Sequence, residues 1–182
     1  KAGYALSLKD LLYAQQRNIS AQYAKQWQQA GKELSLEELF WTSQRNVQPN
    51  QYPLWKSAGY DLSLEQLFWV SQRNIQPQKA SEWNDAGYKL SLEQIFWSNQ
   101  RNLNPRDAGS WKKEGFDISL EQLFWVNQRN IHANDYAAWK NTGYTLSLEK
   151  IYWVKQRNLN PNEAAEWKKV GYDFSVEELF EL

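Results

Sequence analysis

One arginine recurs every 28 residues, at Arg17, Arg45, Arg73, Arg101, Arg129 and Arg157, each time inside the tripeptide Gln-Arg-Asn. Only Arg106 falls outside this series, and lysine serves elsewhere, so the guanidinium itself is what these positions require. A guanidinium supplies planar, forked donors for carboxylate or phosphate and stacks on aromatic rings, which an ammonium does not reproduce. Two chemistries follow. Arg73 lies four residues after Trp69, within reach of a cation-π contact that would be structural. Alternatively, the six arginines form a ladder that reads a periodic anion. Gln44, Gln72, Gln100, Gln128 and Gln156 would then stand beside it as hydrogen-bonding groups, or else bridge to a turn in the next unit.

A glutamate keeps the same register, at Glu37, Glu65, Glu93, Glu121, Glu149 and Glu177, with Lys9 at the first position. If each Glu pairs with the Arg of the preceding unit, the first position has no partner and is free to change. Ion pairs between units are therefore expected.

Little else in the sequence could do chemistry. There is no Cys and a single His, His132, which leaves no thiolate nucleophile and no histidine cluster for a metal. His132 stands where other units carry Asn or Gln and is read as incidental. The glutamates recur in equivalent surroundings, whereas acid-base catalysis needs two carboxyls pushed apart by different ones. No glycine-rich phosphate loop is present. Neither an enzyme nor a cofactor is expected.

The elements that position these residues are repeated units. Seven of eight glycines, at 3, 31, 59, 87, 115, 143 and 171, keep the spacing of 28, and a serine follows each by four residues. In the unit beginning at Gly59, Ser63 and Gln66 form a capping box, and Leu64, Leu67 and Phe68 follow at helical spacing. Asn74 is suited to end that helix, which spans 64 to 73 and is termed helix A. Pro77 then opens helix B, residues 77 to 86, with Ala80, Trp83 and Ala86 on one face and Gly87 as terminator. Pro53 is expected to delay or kink the second helix B.

Helices of about ten residues are marginal alone, so the units must stack. The expected fold is all-α: an α-solenoid of helix-turn-helix units, seven A helices alternating with six B helices, in one array domain over 1-182, with a right-handed superhelix assumed. The last unit is partial. A leucine-rich repeat is rejected because Leu67 occupies the position of its ladder Asn.

The 11 tryptophans form two series, Trp41, Trp69, Trp97, Trp125 and Trp153 in A helices and Trp27, Trp55, Trp83, Trp111, Trp139 and Trp167 in B helices. Both are expected to be core anchors. On the wheel of helix A, Leu64, Leu67 and Phe68 form the core stripe; Glu65, Trp69, Gln72 and Arg73 form a second, nearly invariant stripe; and positions 66, 70 and 71 vary and are read as solvated.

The partner expected for such a surface is a protein or peptide laid along the solenoid. A modular nucleic-acid reader and a purely structural spacer are the alternatives. Net charge is zero, with 21 basic and 21 acidic residues, which weighs against nucleic acid only if Glu and Arg neutralise each other locally. No membrane insertion is expected, since no long apolar run occurs.

Overall fold

A computed structural model describes residues 7-182. Gly3, the first glycine of the series, lies outside the described residues. The described chain is all-helical, with 13 helices and no strand: α1 (Leu8–Gln16), α2 (Ala21–Gln29), α3 (Leu36–Gln44), α4 (Gln51–Ser57), α5 (Leu64–Gln72), α6 (Pro77–Asp85), α7 (Leu92–Gln100), α8 (Pro105–Lys113), α9 (Leu120–Gln128), α10 (Ala133–Asn141), α11 (Leu148–Gln156), α12 (Pro161–Lys169) and α13 (Val176–Glu181). Odd-numbered helices are the A helices and even-numbered ones the B helices of a helical-repeat solenoid. Two compact units divide it, one ending at Phe96 and one running Trp97–Leu182. Among the described residues no helix is long and apolar enough to cross a membrane.

Each helix is delimited by local chemistry. The hydroxyl of Ser63 accepts from the Gln66 amide at 3.1 Å while the Gln66 side chain accepts from the Ser63 amide at 2.9 Å, satisfying two donors that a helix N-terminus leaves open. At the other end Asn74 is left-handed, with φ of 51°, and the Ile75 amide donates to the Val70 carbonyl at 2.9 Å. Helix B ends the same way on Gly87, at φ of 86°, with the Tyr88 amide on the Trp83 carbonyl. All six Asn of the Gln-Arg-Asn series share this conformation, so Asn ends A helices and Gly ends B helices. The expected effect of Pro53 is present: α4 begins at Gln51, whereas α6, α8 and α12 begin on their prolines.

The core lies between the A and B layers. Trp27, Trp55 and Trp83 are fully buried and Trp111 and Trp139 nearly so, while Trp167 in the last B helix is half-buried. Facing them are Leu67, Val70 and their equivalents. Here the sequence expectation fails, because position 70 is not solvated: Thr42, Val70, Ser98, Val126 and Val154 are all buried, at 0 to 2 % exposure. The residues that vary there, Thr, Val and Ser, are all small, and variation among small side chains is what misled the expectation. The Thr42 hydroxyl is satisfied by donating to the Glu38 carbonyl at 2.8 Å.

Neighbouring repeats are clasped through backbone carbonyls. The Tyr60 hydroxyl donates forward to Leu90 O at 2.7 Å, and the Tyr144 hydroxyl to Phe174 O at 2.7 Å. In the reverse direction Asn84 Nδ2 donates to Ala58 O at 2.8 Å, and Lys140 Nζ to Glu114 O at 2.5 Å. These last bonds satisfy carbonyls at helix C-termini that no intrahelical donor reaches.

Two outcomes follow. Val70→Asn should destabilise the protein by about 2 to 4 kcal/mol in denaturant unfolding, whereas Ser71→Asn on the solvated strip should stay within about 0.5 kcal/mol. The second concerns acid. Hydrogen bonds from the Ser7 side chain and backbone hold the Asp10 carboxyl below its ordinary range, and those from the Ser175 backbone and hydroxyl do the same for Glu178. A depressed folded pKa gives stability that is present above the unfolded value and is lost as pH falls through the folded one. The boxes of α5, α7 and α9 use Gln66, Gln94 and Gln122, which do not titrate. Amide protection factors in acid should therefore fall in α1 and α13 before they fall in α5 and α9.

Candidate functional site

The second stripe of helix A is its outward face. With Leu64, Leu67 and Val70 buried, Glu65, Trp69 and Gln72 point away from the core, and Arg73 caps the helix at their C-terminal end. The same holds in each interior repeat. Gln44, Gln72, Gln100, Gln128 and Gln156 are exposed; so are Arg45, Arg73, Arg101 and Arg157, while Arg17 and Arg129 are half-buried.

Each arginine is held by rings from two repeats. The Arg73 guanidinium carbon lies 4.2 Å from the centroid of Trp69 and 5.7 Å from that of Phe96 in the next repeat. Arg45 sits likewise on Trp41 and Phe68, at 4.4 and 5.9 Å, and Arg101 on Trp97 and Phe124, at 4.0 and 5.4 Å. In the bays of Arg45 to Arg157 the two rings meet edge to face, Trp69 and Phe96 at 5.9 Å and Trp41 and Phe68 at 5.9 Å. Arg129 and Arg157 also donate to the carbonyls of Trp125 and Trp153, at 3.3 and 3.4 Å, which caps their own helices.

The aromatic contribution of the next repeat was not expected. Phe68 shares the core stripe of the helical wheel, yet it is half-buried and completes the bay of Arg45. The clue is that Phe40, Phe68, Phe96, Phe124, Tyr152 and Phe180 are all aromatic, where a purely apolar core position would accept residues such as Leu12. The A-helix tryptophans are likewise half-buried bay walls, not a second set of core anchors. Their outer edge stays in solvent because only the layer beneath them is covered by B helices.

The expected Glu-Arg ion pairs are absent among the described residues. Glu177 pairs instead with Lys150, which adds to the hydrogen bonding that holds its carboxyl below the ordinary range. Glu37, Glu65, Glu93 and Glu121 are exposed and make no ion pair or side-chain hydrogen bond, so Lys9 is not explained by a missing arginine. The geometric reason is that Glu65 sits in the first turn of helix A and Arg73 at its end, about 12 Å apart along the axis at 1.5 Å per residue. Gln72 also lacks an intramolecular partner. A depression of about 360 Å³ opens between the first turns of α3 and α5, lined in part by Glu37, Glu38, Trp41 and Glu65.

Among the described residues no group of His, Asp and Glu is arranged to hold a metal ion. His132 is an exposed N-cap whose amide donates to Asp135 at 2.8 Å and whose Nε2 lies 3.1 Å from Asn130 Oδ1. The chain matches no known protein family, no curated protein and no solved structure.

Because Arg73 lies over the face of the half-buried Trp69 ring while Trp83 fills the core, their removal should differ in cost. Arg73→Gln is expected to lose about 0.5 to 1 kcal/mol, and Trp83→Ala about 3 to 5 kcal/mol, measured by urea denaturation.

Proposed function

We propose that the chain is a non-enzymatic repeat scaffold that binds a protein or peptide partner along the outward face of its A helices. One observation carries this reading: the outward residues are more uniform from repeat to repeat than a buried one. Position 70 changes among Val, Thr and Ser inside the core, while Glu65, Gln72 and Arg73 keep their identity through the interior repeats. Stacking explains Trp69 and the placement of Arg73 on it. Beyond a favourable place in the first turn of helix A it does not explain the glutamate row, of which Glu149 and Glu177 alone bond internally, to Ser147 and Lys150, nor Gln72, whose side chain bonds to nothing among the described residues. Uniformity without an internal contact points to a demand made from outside.

A modular nucleic-acid reader has one observation in its favour, that the arginines are not neutralised by carboxylates. Against it stand the guanidinium that already covers one face of each A-helix indole, where a base would stack, and the row of glutamates on the same surface. A pure spacer array leaves the uniform Glu and Gln without a role.

The test is capture from lysate of the source cells with the wild-type chain and with the Arg73→Lys/Arg101→Lys double variant. Wild type should retain protein partners after nuclease treatment, and the variant, melting within about 3 °C of wild type, should lose about ten-fold of that capture. Nuclease-sensitive capture, or capture indifferent to the double substitution, overturns the reading.

A further inference from the structure

The three rows of the outward face specify what kind of protein segment fits it. In the first unit, Arg17, Arg45 and Arg73 edge α1, α3 and α5 at one end, and Glu37 and Glu65 edge α3 and α5 at the other. Half-buried rings lie between, Trp41 against Phe68. We infer that the partner is a helical segment laid across these A helices, with acidic side chains on the flank over the arginines, basic ones on the flank over the glutamates and apolar residues between. This rests on the protein-binding reading above and narrows it.

Width, period and charge support the assignment together. The two charged rows stand about 12 Å apart, and a helix with its side chains is about 10 to 12 Å across, so one helix reaches both. An extended strand or single nucleic-acid chain laid on the arginines leaves the glutamates untouched, and a nucleic-acid backbone offers no cation to them. Packed helices lie about 8 to 10 Å apart, close to the rise of about 10.5 Å for one heptad of a ligand helix, so one acidic side chain per heptad meets one arginine per repeat. Each arginine is already immobilised on two rings, which reduces the ordering needed to form a forked pair with a carboxylate. On the opposite flank, the depression bounded by Glu37, Glu38, Glu65 and Trp41 suits the ammonium and apolar stem of a lysine. Lys32 also lines it, its Nζ donating to Leu62 O at 3.4 Å and lying 4.6 Å from the Tyr52 ring rather than pairing with a glutamate.

The test uses the full 182-residue chain and a fluorescent synthetic peptide of about four heptads, with glutamate along one flank, lysine along the other and leucine and alanine between. Anisotropy titration should show it binding about ten-fold or more tightly than an isomer of the same composition with the flanks intermixed. Arg45→Gln/Arg73→Gln should cost about ten-fold in affinity. Glu37→Gln/Glu65→Gln should weaken the peptide about five-fold, yet leave unchanged a peptide whose lysines are glutamine. Equal binding of patterned and intermixed peptides, or indifference to the glutamate substitutions, overturns the inference. If the peptide fails while lysate capture remains nuclease-resistant and arginine-dependent, this inference falls and the scaffold reading stands. Arginine-dependent binding of an oligouridylate strand in place of the peptide overturns both.

Discussion

A helix of nine residues cannot hold itself together in water, and nearly every feature of this chain is a response to that constraint. The opening turn closes too few hydrogen bonds to repay the backbone ordering it requires, so each helix must gain its stability from caps and neighbours. Hence the serine box at the start of A helices, the left-handed Asn and Gly at the ends, and the carbonyl clasps of Tyr60 and Asn84 to adjoining repeats. An insertion in one unit would misplace a clasp in the next, which accounts for a spacing of 28 residues kept without exception.

The same constraint separates two kinds of sameness. Ser63, Asn74, Gly87 and Trp83 repeat because each unit needs its caps and its buried ring. Gln72 repeats with no such need, and Glu65 needs only a place in the first turn of its helix; both face solvent and bond to nothing among the described residues, although Glu149 and Glu177 of the same row bond Ser147 and Lys150. A side chain at position 70, by contrast, is buried and small but not fixed in identity, since Val, Thr and Ser all occur there.

Much of the fold was legible in residue spacing because its signals are local. The repeat length, both helices of each unit, the capping box and the role of Asn as terminator all depend on residues within one turn of each other. The arginine stack on its own tryptophan, four residues away, was legible for the same reason. The second ring of each bay was missed because it depends on a contact 23 residues away in sequence, as with Arg45 and Phe68. Variation at position 70 suggested exposure, although small cores accept small substitutions, and Lys9 suggested an ion pair that helix length forbids.

Charge neutrality is where this distinction matters most. Six glutamates and six arginines in register could describe a surface of cancelled pairs, but the two rows stand at opposite ends of nine-residue helices, about 12 Å apart. That separation exceeds the screening length of about 8 Å at physiological ionic strength, so each row presents its own field to whatever approaches. A protein with no net charge thus offers two charged edges of opposite sign with rings between them. A uniformly anionic polymer gains at one edge and is opposed at the other, whereas a partner with both signs gains at both. On the scaffold reading proposed above, such a surface fits a partner that is itself divided.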